Sequence, residues 1–256
     1  MTIKFGPAGF GPVKEAIANL EKYSKLGLNA CEIAFTYGIY IKDKEAKPIK
    51  EAAKRIGMNL SIHAPYWINL NSKEKIKQKQ SIARIINCVK IGDKLGVNTV
   101  VFHAGFYGKS NKEETYETIK NNLLIIQDEI RDNSLTPKIA PETMGKINVF
   151  GNIEEISNLA KETKSSFCID FAHVLARYKE NKFDLIKEKF PYKTWHCHFS
   201  GIEYSDKGEK NHIKTSKESW QTLLKNLPKD KDITIINESP DMINDSVMGL
   251  KLSKID

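Results

Sequence analysis

Short apolar runs alternate with longer amphipathic segments along the whole chain. Eight of the runs read as strands: Ile3–Phe5, Ala30–Phe35, Asn59–His63, Thr99–His103, Lys138–Glu142, Ser166–Asp170, Thr194–Phe199 and Ile233–Glu238. Each is short, rich in β-branched or aromatic residues, and followed by a break before a helical pattern, as strands buried on both faces should be. Between them, apolar residues recur at helical spacing. Pro12–Lys25 places Val13, Ile17 and Leu20 on one face, and Ser72–Leu95 carries Ile82, Ile85, Ile86 and Val89. Glu45–Ile56, Lys112–Arg131, Ile153–Lys161, Phe183–Phe190, Ser216–Leu227 and Asp241–Leu252 complete the helical set. Gly27 and Gly96 fall just past two of these helices, where a left-handed residue commonly ends the helix.

Eight β–α units with no composition break predict one domain over residues 1–256: an α/β fold, a (β/α)8 TIM barrel closed by right-handed crossovers. The length of 256 residues suits a barrel, which typically needs about 250. An open doubly wound sheet is the alternative, but no Gly-x-Gly-x-x-Gly follows a strand and no P-loop is present. The final helix is short, so barrel closure is expected to be weak beside it.

Composition adds exclusions. No stretch of about 18 apolar residues exists to span a membrane, and the N-terminus lacks the apolar centre of a signal peptide. Cys31, Cys88, Cys168 and Cys197 form no C-x-x-C pair and are too sparse for a disulfide framework, which points to a reducing, cytoplasmic setting. The formal charge of +8 permits a phosphate polyanion as partner. The lysines are spread over predicted helix faces, so charge alone does not require one.

The ends of the strands carry the chemistry. His63, His103, Glu142, Asp170, His198 and Glu238 each end a predicted strand. Barrel active sites form where strand C-termini converge, so these six point into one small space. Imidazoles and carboxylates concentrated there need cations to offset charge and satisfy lone pairs. A mixed His/carboxylate set suits Zn, Mn or Fe better than Mg. Glu142 and Glu238 are candidates to bridge two ions about 3.5–4 Å apart, the geometry of two-metal phosphoryl transfer. Taken singly, such a His would more often be a hydrogen-bonded structural residue, and such an Asp or Glu a helix cap. His173 lies on the loop leaving strand 6 and His212 in a long polar loop, Gly201–Thr215. His196 shares the inward face of its strand with His198 and reads as a supporting or barrel-filling residue. Cys168 and Cys197 read as packed thiols.

These residues sit in longer strings: Ser61-Ile-His-Ala-Pro-Tyr-Trp-Ile-Asn-Leu-Asn-Ser72, Val101-Phe-His-Ala-Gly105, Ala140-Pro-Glu-Thr-Met-Gly145, Cys168-Ile-Asp-Phe-Ala-His173 and His198-Phe-Ser-Gly201. In order and spacing, from about residue 60 to Glu238, the chain resembles the endonuclease IV family of apurinic/apyrimidinic endonucleases, within the xylose isomerase-like barrels. The first and fourth strings are the most specific. The resemblance implies a first zinc on His63, His103 and Glu142. Glu142 would bridge to a second zinc held by Asp170, His198 and Glu238, and His173 and His212 would hold a third. The family places an Asp two residues before that last His, where this chain has Lys210. Three outcomes stay open: Glu209 replaces the Asp, Lys210 supplies a positive charge, or only two metals bind.

The activity so implied is hydrolysis of the phosphodiester 5′ to an abasic site in double-stranded DNA, leaving a 3′-hydroxyl, by a monomer using two or three Zn2+ (Mn2+ being possible). Glu142 or Glu238 would accept the water's proton, and Lys210 or an ion would stabilise charge on the phosphate. A nucleotide without its base is cheap to turn out of the stack. Tyr66, matching a tyrosine that the family inserts beside the lesion, and Trp67 are expected to contact the DNA, with packing at the barrel rim the competing role, a stronger competitor for Trp67 than for Tyr66. The loop Phe35–Lys44 mixes aromatics with lysines and suits backbone contact, and equally suits a solvated loop. A sugar isomerase or epimerase on the same barrel would use Glu142, Asp170, His198 and Glu238 around one ion, leaving His63 and His103 unexplained. A damaged-DNA binder that does not cut is the third reading.

Overall fold

The computed structural model of the protein describes residues 2–255. It is a barrel in which strands alternate with helices, as the pattern predicts. The elements run β1 (Ile3–Pro7), a 3-10 turn (Val13–Glu15), α1 (Ala16–Lys25), β2 (Ala30–Ala34), α2 (Asp43–Arg55), β3 (Asn59–His63), α3 (Lys75–Leu95), β4 (Thr99–Phe102), α4 (Lys112–Asp132) and β5 (Lys138–Pro141). They continue with α5 (Ile153–Thr163), β6 (Cys168–Asp170), α6 (Phe171–Tyr178), α7 (Phe183–Lys189), β7 (Thr194–Phe199), β8 (Gly201–Ser205), β9 (Gly208–Ile213), α8 (Lys217–Asn226), β10 (Asp232–Asn237) and α9 (Met242–Leu252).

The barrel is two four-stranded parallel halves, β2-β3-β4-β5 and β1-β10-β7-β6. One seam closes where Asn29 N–H donates to the Phe5 carbonyl at 3.1 Å and Phe5 N–H to the Asn29 side chain at 3.0 Å. The other closes through a parallel bridge between Glu142 and Cys168, with Thr143 N–H donating to the Cys168 carbonyl at 3.0 Å. The expected weakness beside the last helix is absent, because β10 pairs with β1 along five residues, Ile3–Pro7 against Ile233–Asn237.

Side-chain alternation sorts the strands into two faces. Outward residues such as Phe5, Ile33, Ile62, Phe102, Ile169, Cys197 and Ile235 pack with the helices in one continuous core. Inward residues fill the barrel, and Val101, Ala140 and Cys168 form a small apolar patch there. All four cysteines are buried and free. Polar caps fix the helix starts: Asn111 accepts from Glu114 N–H at 2.7 Å, and Asn152 and Glu155 form a reciprocal capping box. At the other end of a helix, Gly96 takes φ 69°, the left-handed value its position calls for.

Two elements depart from the sequence reading. Asp170 caps a helix that begins at once, its carboxylate accepting from His173 N–H at 2.7 Å, so His173 lies in the first turn of α6 rather than on a loop. The polar segment after β7 is a hairpin, β8–β9, rather than a loop. Its residues stay largely in water and carry no apolar alternation, so periodicity could not reveal it.

Candidate metal centre

The inward positions form layers. At the mouth stand His63, His103, Glu142, Asp170, His198 and Glu238, each at or just past the end of its strand. Glu142 is the hub, with 1% of its side chain exposed. Its Oε2 lies 3.2 Å from the Nε2 atoms of both His63 and His103. Its Oε1 lies 3.2 Å from His198 Nδ1 and 3.3 Å from His173 Nδ1. Glu238 Oε1 stands 3.5 Å from His198 Nδ1, and its Oε2 is 4.0 Å from His212 Nε2. Asp170 Oδ2 is 3.3 Å from His173 Nδ1 yet has no well-formed hydrogen bond, a buried anionic lone pair aimed into the cluster.

Four sets of ligand atoms lie close enough to share an ion: His63, His103 and Glu142; Glu142, Asp170, His198 and Glu238; Asp170, His173 and His212; and, one level deeper, Cys168, His196 and His198. The donor set fits divalent metals. Burial alone would raise the Glu142 carboxyl and lower the imidazoles. Their mutual attraction wins, holding Glu142 well below the usual carboxylate range and raising His63, His173 and His198.

Outer partners aim the rings. His63 Nδ1 is 2.7 Å from the Ala64 carbonyl, His173 Nδ1 is 3.0 Å from the Thr143 carbonyl, and His212 Nδ1 is 2.5 Å from Ser200 Oγ. Each leaves Nε2 for the centre. Arg177 holds the loop that follows Glu142, donating to the carbonyls of Lys146 at 2.7 Å and Val149 at 3.0 Å.

The open question at Lys210 has a geometric answer. The β8–β9 register shifts, pairing Tyr204 with Glu209 and Glu203 with Asn211, so Lys210 is the extra residue of a β-bulge. In a regular strand Lys210 would share the face of His212; the bulge gives that place to Glu209. Glu209 Oε2 lies 3.4 Å from His173 Nε2, while Lys210 is exposed. Lys210 is therefore not brought into the cluster, and the expectation that it acts there is corrected.

One residue escaped the sequence reading altogether. Glu32, inward on β2, is fully buried; its Oε1 is 2.9 Å from His198 Nε2, and its Oε2 accepts from His196 Nε2 at 3.0 Å and from Ser61 Oγ at 2.8 Å. Burial would raise its carboxyl, but His198 and His196 hold it well below the usual range. The signal was a lone charge inside Ala30-Cys-Glu-Ile-Ala-Phe35, where a buried strand should be apolar throughout.

Above the cluster is a cavity of about 200 Å³, lined in part by Thr36, His63, Tyr66, His212 and Glu238. A larger hollow of about 540 Å³ lies at the opposite end of the barrel, among residues such as Lys4, Asn98 and Thr194, away from the mouth layer. Tyr66 stacks on His103, with ring centroids 5.3 Å apart and planes at 16°. Trp67 packs on Tyr37 at 5.7 Å. Both Tyr66 and Trp67 are half exposed, and Tyr37 is 84% exposed.

Fold and mouth together define a barrel protein built around a multi-ligand centre. Residues 20–245 match the family of xylose isomerase-like TIM barrels, and the chain belongs to that family. Within it, the resemblance drawn from the motifs is borne out by relatives called endonuclease 4. The chain is 30% identical over 200 residues to the probable endonuclease 4 of Mycoplasmopsis pulmonis, covering 71% of this chain and 70% of the relative. It is 38% identical over 265 residues to the uncharacterized protein MJ0133 of Methanocaldococcus jannaschii, covering 96% and 95%. The fold is shared with endonuclease IV from Thermus thermophilus, at TM-score 0.71 and 20% identity over 100% of this chain and 98% of that one. It is equally shared with a D-psicose 3-epimerase, at TM-score 0.73 and 16% identity over 100% and 99%. No helix among the described residues is long and apolar enough to cross a membrane.

Proposed function

We propose that this protein is a metal-dependent endonuclease that cuts double-stranded DNA on the 5′ side of an abasic site, leaving a 3′-hydroxyl. The observation that carries the reading is Glu142 with imidazoles on both oxygens: His63 and His103 on one, His198 and His173 on the other. One ion needs a single such face, and two faces suit a bridged pair.

His63, His103 and Glu142 would hold one Zn2+, and Glu142, Asp170, His198 and Glu238 a second. His173, His212 and Glu209 would hold a third, with Mn2+ an alternative metal. When bound, the ions would supply Lewis acidity to the phosphodiester and to the attacking water. Glu142 is enclosed by rings and would hold ions through both of its oxygens. Glu238, with 15% of its side chain exposed, is the carboxylate better placed to take the water's proton. Tyr66 and Trp67 would fill the space of the missing base and stack on its neighbours. Exposed Lys146, Lys207 and Lys210, on the loop after β5 and on the hairpin, would meet the flanking phosphates.

Incubation of an abasic duplex with zinc- or manganese-loaded protein tests the reading, with an intact duplex and Glu142→Ala as controls. Cutting confined to the abasic duplex and abolished in the variant supports it. Equal treatment of both duplexes sinks it, and binding without cutting would favour a damaged-DNA binder. The epimerase reading draws on the fold shared with D-psicose 3-epimerase; it requires a single ion and turnover of a ketose, and leaves His63 and His103 without a task.

A further inference from the structure

The inner layer below the mouth contains the anomaly. A TIM barrel normally fills this level with apolar side chains, and Val101, Ala140 and Cys168 do so here. Glu32, His196 and Ser61 lie at the same level and are buried. A carboxylate there costs several kcal/mol unless every lone pair is used. Two of its partners lie within the layer, since His196 and Ser61 both donate to Oε2. The third reaches upward: Oε1 and His198 Nε2 are 2.9 Å apart, an ion-pair contact without the angle of a well-formed hydrogen bond, and the Cys168 thiol lies beside the same ring. A buried carboxylate oxygen and a buried ring nitrogen at this distance stabilise each other by charge and need only a small turn of either group to close the bond.

His198 differs in this from the other rings of the centre. His63 and His212 are steered by neutral oxygens through Nδ1 and present Nε2, and His173, whose Nδ1 also stands 3.3 Å from Glu142 and Asp170, has its shortest Nδ1 contact with the Thr143 carbonyl. His198 is turned the other way, with Nδ1 facing Glu142 and Glu238. Only a proton on Nε2 leaves Nδ1 with a free lone pair, and a carboxylate behind Nε2 enforces that tautomer and makes the ring a stronger donor.

We propose that Glu32 is a positioning residue of the metal centre: clamped by His196 and Ser61, it fixes His198 with its proton on Nε2, so that Nδ1 serves the ion shared with Glu142, Asp170 and Glu238. The inference rests on the metal-centre reading above. With Oε2 held by His196 and Ser61 and Oε1 against His198 Nε2, Glu32 would act through His198.

Metal-free wild-type, Glu32→Gln, Glu32→Ala and Ser61→Ala proteins are titrated with Zn2+ against a competing chelator, with Val101→Ala as a control for general loosening of the same layer. Glu32→Ala should weaken one ion about 100-fold and Glu32→Gln, whose amide oxygen can still accept from Nε2, about 10-fold. The remaining uptake should be unchanged, and Val101→Ala should bind as wild type does. Ser61→Ala retains the carboxylate and keeps the test open if the Glu32 variants fail to fold; a loss smaller than that of Glu32→Gln is expected. In zinc-loaded, 15N-histidine-labelled wild type, His198 should carry its proton on Nε2. A proton on Nδ1, or zinc affinity in Glu32→Gln and Ser61→Ala equal to wild type, overturns the proposal. Wild type that takes up no zinc overturns the metal-centre reading with it, whereas zinc uptake indifferent to Glu32 overturns this inference alone.

Discussion

Gly145 and Glu209 are in contact across the mouth: a Cβ at Gly145 would lie 2.7 Å from Glu209 Cβ and 2.9 Å from its Oε2. The absence of a side chain at Gly145 is what lets the bulged strand bring a carboxylate to His173. Gly145→Ala should therefore displace Glu209 and reduce zinc stoichiometry by one, as Glu209→Ala should directly. Metal analysis after dialysis checks both, and full retention in both variants would show that Glu209 holds no ion.

The metal-free protein should have a bounded pH range of stability. His63, His173 and His198 have folded values raised above the ordinary 6.5, so their contribution is complete below 6.5 and is lost as pH climbs through the raised values. Glu32 and Glu142 are depressed below the ordinary 4.5; their contribution is present above 4.5 and is lost as pH falls through the depressed values. Thermal unfolding of chelated protein should thus show its highest midpoint between about pH 4.5 and 6.5. Zinc should shift that optimum upward, since the ligands bind metal in their deprotonated forms. A midpoint that rises steadily to pH 9 without metal would contradict this.

Arg177 ties the loop after Glu142 to α6, which carries His173. Arg177→Ala removes charged donors from several carbonyls and should cost about 2 kcal/mol, given that Arg177 is only partly buried. Urea unfolding measures the loss. A change below about 0.5 kcal/mol, typical of surface substitutions, would show that the loop holds itself.

DNA affinity should fall steeply with salt. Replacing Lys146, Lys207 or Lys210 singly by Ala should weaken binding to abasic and intact duplexes alike and lower the salt slope by about one. Trp67→Ala should act differently, weakening only the abasic complex and leaving zinc content intact. Fluorescence anisotropy over a range of salt separates the two. Identical behaviour of the lysine and tryptophan variants would remove Trp67 from lesion contact.

Most of the barrel could be read in advance because its strands are buried on both faces and announce themselves as apolar runs; Asn59–His63 and Thr194–Phe199 were bounded to the residue. The mouth ligands could be read because a polar residue ending such a run has few other reasons to be there. The β8–β9 hairpin eluded the same logic, since Tyr204 and Lys210 are exposed and leave no alternating apolar face. Lys210 misled because a bulge shifts strand parity by one, which depends on pairing rather than composition. Glu32 was legible as a misplaced charge, but its partners His196 and His198 lie more than 160 residues away.

The seam at Glu142 and Cys168 has a mechanical consequence. His63, His103 and Glu142 belong to one half-barrel, and Asp170, His198 and Glu238 to the other. Along that seam the halves share one bridge, the Thr143 amide bond and the Thr143 hydroxyl, which accepts from Asp170 N–H at 2.9 Å and lies 3.4 Å from the Asp170 carbonyl. Ions gripped from both sides would act as rivets there. Stripping them would leave a cylinder free to split lengthwise, so demetallation should expose amides flanking Glu142 and Cys168 to exchange before any helix melts.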